Sequence, residues 1–140
     1  MATAGTVNQL YQTVTSRLFG RSLTGGVWTT WLEYLSTTAA PVQTFSAAKS
    51  LVLTDAAGYW RCTATTGVNV TVPTDASIAF PINTEIHFRQ TAAGAITFVP
   101  SGGVTINAPT NGTLVTGGIG ATVTIKKVAA DVWDLFGVTG

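Results

Sequence analysis

Charge is what this sequence has least of. Its 140 residues hold only 7 Lys and Arg and 6 Asp and Glu, or 9%, where a globular domain is usually about a quarter charged. The net charge of +1 excludes the basic field on which nucleic-acid binding depends. Scarce charge can mark a membrane protein, yet no apolar run approaches the roughly 18 residues that span a bilayer, so no membrane partner is expected. Disorder combines low hydrophobicity with high net charge; here hydrophobic residues make up 46%. The expectation is a soluble chain whose surface is hydroxyl, amide and backbone rather than ionic.

Reactive side chains are equally few. Cys62 is the single cysteine, so no internal disulfide and no CxxC metal or redox site can form. A Ser-His-Asp set would have to use His87, the single histidine. It alternates with Glu85 and Arg89 on the outward parity of a strand, which reads as a solvated polar row rather than a base with its orienting acid. The carboxylates are scattered singly, and Asp55, Asp75 and Asp131 sit in turn-like contexts where Asp bonds nearby backbone N–H groups. Gly117-Gly118-Ile119-Gly120 lacks the Lys-Ser/Thr and the following helix of a phosphate cradle, so a turn or bulge is expected. No catalytic residue, cofactor or metal is expected, and the chain reads as a non-enzyme. Nor does Met1-Ala2-Thr3-Ala4-Gly5 show the basic and apolar pattern of a secretory leader, so synthesis in a cytoplasm is expected.

What the chain does have is Thr, 26 of them, 15 Gly, and short apolar runs. Two organisations follow each other, with a small, polar stretch at residues 36–44 between them, giving expected domains 1–44 and 45–140. In the first, Val7, Leu10, Tyr11, Val14 and Leu18 recur at i, i+3, i+4, i+7 and i+11, the stripe of a helix over about residues 6–19. Thr6 with Gln9 reads as its capping box and Gly20 as its stop. After Gly25-Gly26, the spacing of Trp28, Trp31, Leu32 and Leu35 suggests a second short helical stripe, although Thr and aromatics favour strands. These stripes are candidate interface residues. They are expected either to attach the chain to another surface or to clasp its own β-domain.

From residue 45 the pattern is one of strands and turns. Leu51–Leu53, Tyr59–Thr63, Val68–Val72, Glu85–Arg89, Ile96–Val99, Val104–Ile106, Val123–Ile125 and Val132–Phe136 are punctuated by Gly, Pro and Asn. Eight or nine short strands of this kind predict a mainly β fold, an antiparallel β-sandwich or barrel behind a partly helical N-terminal arm. Tyr59, Trp60 and Trp133 are candidate stacking residues for a sugar, although large aromatics in strands are more often core or interface residues.

Much of the second half carries a resemblance. Val70-Thr71-Val72-Pro73 is followed by Phe80-Pro81-Ile82-Asn83-Thr84-Glu85-Ile86, then by Gln90 with the Ala93-Gly94 turn and Ile96-Thr97-Phe98. Gly103-Val104-Thr105-Ile106-Asn107 and Ala121-Thr122-Val123-Thr124-Ile125-Lys126-Lys127-Val128 come next, and Trp133-Asp134-Leu135 with Gly137 closes the run. In this order of strands and turns, residues 68–137 resemble a β-domain module of tailed-bacteriophage virion proteins, found in tail fibres, head fibres and capsid decoration proteins. The resemblance implies a structural virion protein and a homotrimer. Asn83 stands where Gly is expected, and Asn also tolerates a left-handed backbone.

Taken as a whole product, 140 residues are short for a tail fibre with its shaft and suit a capsid decoration (cement) protein or short head fibre. The expected partners are the chain itself and the major capsid protein, on the outside of the virion. Arg17 and Arg21 would add contacts to capsid carboxylates. The alternative is a tail-fibre or tail-tip adhesion module that binds a host-surface glycan.

Overall fold

The computed structural model describes residues 7–12, 18–35 and 42–140. The chain divides into two compact units, Met1–Ala39 and Ala40–Gly140. Both are built of strands, and among the described residues the only helical piece is a 3₁₀ turn at Leu53–Asp55.

The first unit is a small antiparallel sheet. Strand β1 (Val7–Gln12) pairs along its whole length with β2 (Leu18–Thr24). On the other side of β2 lie the short strands β3 (Val27–Trp28) and β4 (Leu32–Leu35). Gly25 and Gly26 both take positive φ, +59° and +81°, between the paired Thr24 and Val27. That is the two-residue turn whose twist suits a hairpin, and it needs residues free to adopt φ > 0.

The expected helices are therefore corrected. Leu10 and Tyr11 are neighbours in a strand and take opposite faces, whereas a helix would put both on one stripe. Trp28 ends β3, and Leu32 and Leu35 bound β4. The physical reason lies in residue type: Val, Tyr, Thr and Trp are poor helix formers, and a short helix has no stability of its own. Cross-strand pairing outweighs a stripe of five apolar residues. Val14, Thr6 and Arg17 lie outside the described residues.

The second unit is wound rather than folded back in hairpins. Strands β5 (Val42–Phe45), β7 (Tyr59–Cys62) and β9 (Glu85–Gln90) lie side by side and parallel in one sheet. Strands β6 (Lys49–Ser50), β8 (Val68–Val72) and β10 (Ile96–Pro100) do the same in a second sheet, which is parallel throughout. The chain alternates between the two sheets, so each strand meets as neighbour the one laid down a full coil earlier. Parallel neighbours need a crossover, and here the strand in the opposite sheet supplies it.

The first of these sheets is completed by β11 (Thr105–Asn107), β12 (Thr122–Ala129) and β13 (Val132–Gly137), giving six strands in the order β11-β13-β12-β9-β7-β5. Here β9 with β12 and β12 with β13 pair antiparallel, as do the single bridges Thr97–Val115 and Thr116–Thr139. The β12–β13 hairpin turns through Asp131, whose φ is +53°. The expected antiparallel sandwich or barrel thus gives way to a mainly β fold of mixed sheets. Side-chain alternation specifies which face of a strand is buried, and says nothing of whether the neighbour runs parallel.

Alternation does place the core. In β8, Val68, Val70 and Val72 are buried between outward Asn69 and Thr71; in β9, Ile86, Phe88 and Gln90 are buried while Glu85, His87 and Arg89 face out. Phe98, Val123, Ile125, Trp133 and Leu135 complete the centre with Leu51 and Cys62. Phe88 meets Phe98 edge-on at 5.2 Å, the geometry that ring quadrupoles favour. Each such side chain stabilises the fold by about 1.5–3 kcal/mol through burial. Asn83 takes φ +73° in the turn before β9.

Candidate interaction surface

The N-terminal sheet presents its apolar side chains outward. Leu10 is 70% exposed, Tyr11 59%, Trp31 43% and Leu32 60%. Of residues 8–11 and 19–32, only Gly20 is buried. The register explains the layout. Leu10, Gly20 and Leu32 are cross-strand partners and form an aliphatic row on one face. Tyr11 and Phe19 pair on the other face and, with Trp31, line a shallow groove of about 430 Å³.

Arg21 organises the aromatic side. Its guanidinium lies 4.4 Å from the Trp28 ring centre and 4.6 Å from that of Trp31, while its Nε donates to Gln9 Oε1 at 2.8 Å. Each stacked contact of this kind contributes about 0.5–1 kcal/mol where exposed, and together they hold the two indoles in place. Tyr11 then meets Trp31 with ring centres 6.4 Å apart. On the aliphatic side Ser22 Oγ donates to Asn8 Oδ1 at 2.7 Å. Arg21 is thus engaged with Gln9, Trp28 and Trp31 of its own sheet.

Of the sequence-derived interface residues, Leu10, Tyr11, Trp28, Trp31 and Leu32 thus belong to this sheet, divided between its two faces. Val7, Leu18 and Leu35 stand on its strands. The part that helical spacing could not reveal is Phe19. Its place opposite Tyr11 follows from the β1–β2 pairing, which a helical reading of residues 6–19 hides.

The candidate sugar-stacking residues lie in the second unit and are mostly enclosed. Trp133 is buried against Phe80 at 5.4 Å, and Trp60 is buried beneath the Lys49 ammonium, which sits 4.0 Å from its ring centre. Neither ring offers a face to a ligand. Tyr59 is half-buried on the outer face of the six-stranded sheet.

Buried polar groups in this unit are structural. Asp55 receives both a Lys49 ion pair at 2.8 Å and the Val52 N–H at 2.9 Å. Thr116 Oγ1 donates to Gln90 Oε1 at 2.5 Å and accepts from the Ile96 N–H at 2.9 Å, fastening its segment to β10. Lys127 is enclosed and paired with Asp75. The Lys127 hydrogen bond holds the Asp75 carboxyl below its ordinary value of 3.8. Lys126 does the same for Glu85, below 4.5. Among the described residues no three His, Cys, Asp or Glu converge as metal ligands. Compared with family models, with curated proteins and with solved structures, the chain matches none.

Proposed function

We propose that this chain is a structural virion protein, most simply a trimeric capsid decoration protein or short head fibre that binds and stabilises a phage head without catalysing a reaction. The observation that carries the reading is the N-terminal sheet. It exposes Leu10, Tyr11, Trp31 and Leu32, and of residues 8–11 and 19–32 only Gly20 is buried, as expected of a surface whose burial is completed by other subunits. Units this small usually need a disulfide, a metal or oligomerisation to persist; the single cysteine of the chain, Cys62, lies in the other unit. The resemblance over residues 68–137 supplies the protein class. The adhesion alternative drew on Tyr59, Trp60 and Trp133, and two of those rings are buried.

Stabilisation would follow from mass action. A protein that binds only the assembled shell stabilises it in proportion to the logarithm of its concentration over its dissociation constant. Three copies joined together strengthen individually weak contacts by raising effective concentration. The test is antibody labelling of intact particles in the electron microscope, followed by thermal rupture of heads with and without the protein. Head labelling and a lowered rupture temperature after removal are expected. Labelling confined to the tail, or an unchanged temperature, overturns the cement role.

A further inference from the structure

The side chains of the lysines and acids of the second unit all have polar partners. Lys49, Lys126 and Lys127 each hold a carboxylate. Asp134 accepts from Asn107, and Asp131 accepts from the Asp75 N–H. Arg61 and Arg89 remain, and among the described residues neither has a carboxylate within ion-pairing distance. They are also neighbours: β7 and β9 run parallel with Arg61 directly opposite Arg89, at a strand spacing of about 4.8 Å. Both are exposed on the outer face.

Two like charges in register destabilise a sheet, and this chain spends two of its 7 cations so. Among the described residues no carboxylate relieves the repulsion. Thr44 and Thr122 flank the pair in register, short side chains beside long ones. Among the described residues the two guanidinium groups make one hydrogen bond, a long one from Arg89 Nη1 to Thr122 Oγ1 at 3.3 Å. Two residues back along each strand, on the same face, Tyr59 lies opposite His87, both half-buried, and His87 Nδ1 is spoken for by Thr124 Oγ1 at 2.8 Å. The outer face therefore shows two guanidinium forks, ten N–H donors in all by their chemistry, above a bed of threonines.

We propose that Arg61 and Arg89 form a docking point for carboxylates on the surface of an acidic partner protein. Guanidinium forks match carboxylates two bonds at a time, and a carboxylate between them would remove the like-charge repulsion. The setting favours a protein surface over a small anion or a sugar acid. The forks rise from short Thr neighbours without walls to shield them, so a small anion would stay hydrated, and such exposed pairs contribute only about 0–1 kcal/mol. A broad partner that covers the sheet would exclude that water. The inference uses the six-stranded sheet and not the N-terminal unit, and it stands whether or not the chain belongs to a virion.

The test is binding of the full chain to immobilised poly-L-glutamate and, separately, to heparin, at low and at physiological salt. The wild type is expected to bind poly-L-glutamate, with about tenfold weaker binding in R61Q/R89Q and a loss of several-fold in R61K/R89K, which keeps the charge but lacks the fork. Melting of R61Q/R89Q at or above the wild-type temperature would show that the loss is not unfolding. The proposal is overturned if the wild type ignores poly-L-glutamate at low salt, or if the Lys variant binds as well as Arg. Binding to heparin alone overturns it too, and assigns the face to an acidic polysaccharide.

Discussion

Lys127, buried in the middle of its strand, places its ammonium on the carboxylate of Asp75, 52 residues earlier in the chain. Asp75 is secured in turn by Asp131: its N–H donates to Asp131 Oδ1 at 2.7 Å, and the Asp131 N–H reaches back to Asp75 Oδ2. The pair thereby ties the loop after β8 to the β12–β13 hairpin. Removing Asp75 strands the enclosed Lys127 ammonium, whereas removing Lys127 strands a carboxylate that is 28% exposed and still accepts the Asp131 N–H. Asp75→Ala is therefore expected to lower the melting temperature more than Lys127→Met. Equal or reversed shifts in thermal melts would show that the pair is not what holds this loop.

Acid sensitivity follows from the same carboxyl and from Glu85. Both have folded-state values below their ordinary 3.8 and 4.5, so the folded chain binds fewer protons than the unfolded one through the acid range. Their stabilisation is complete above about pH 4.5 and is lost as pH falls through the lowered values. Urea midpoints measured from pH 6 down to pH 2.5 should fall most steeply below about pH 4. In the Asp75→Asn, Glu85→Gln double variant the curve should be flatter; an unchanged slope would remove these two groups as its source.

Phe88 is the hinge of the aromatic core. It is fully buried and meets Phe98 at 5.2 Å and Phe45 at 6.2 Å, both edge-on. It thus joins the two sheets and the first coil to the third. Phe88→Ala should cost about 3–5 kcal/mol, read from denaturant unfolding with an unchanged m-value. A loss below 1 kcal/mol would mean that the sheets are not held together here.

Cys62 is the single thiol and is fully buried in β7. A thiol reagent should leave it unmodified in the native protein and modify it stoichiometrically in denaturant, so the native rate reports how often the coil opens. Fast labelling without denaturant would contradict the packing of β7 between β5 and β9.

Strands β8 and β9 were legible because burial writes an alternation into their residues, whereas Leu51–Leu53, expected as a strand, runs into the 3₁₀ turn, and β5 starts in the stretch read as a linker. Val68, Val70 and Val72, and Ile86 and Phe88 against Glu85, His87 and Arg89, mark their faces without reference to any partner. The same signal was ambiguous at the N terminus: in a short run Val7, Leu10 and Tyr11 satisfy a helical period while also lying on a strand. Strand pairing with β2, a non-local event, decided between them.

The sequence by itself determined that this is a mainly β protein of scarce charge, with one thiol and one histidine, and it marked which residues of Val68–Val72 and Glu85–Arg89 face inward. Only the tertiary structure decided that neighbouring strands run parallel in a coil. It was also tertiary structure that enclosed Trp60 and Trp133 and brought Lys127 to Asp75 and Arg61 beside Arg89. The physical reason is range. Alternation is a local consequence of one buried face, whereas pairing, register and charge juxtaposition depend on residues tens of positions apart, chosen by the packing of the whole core.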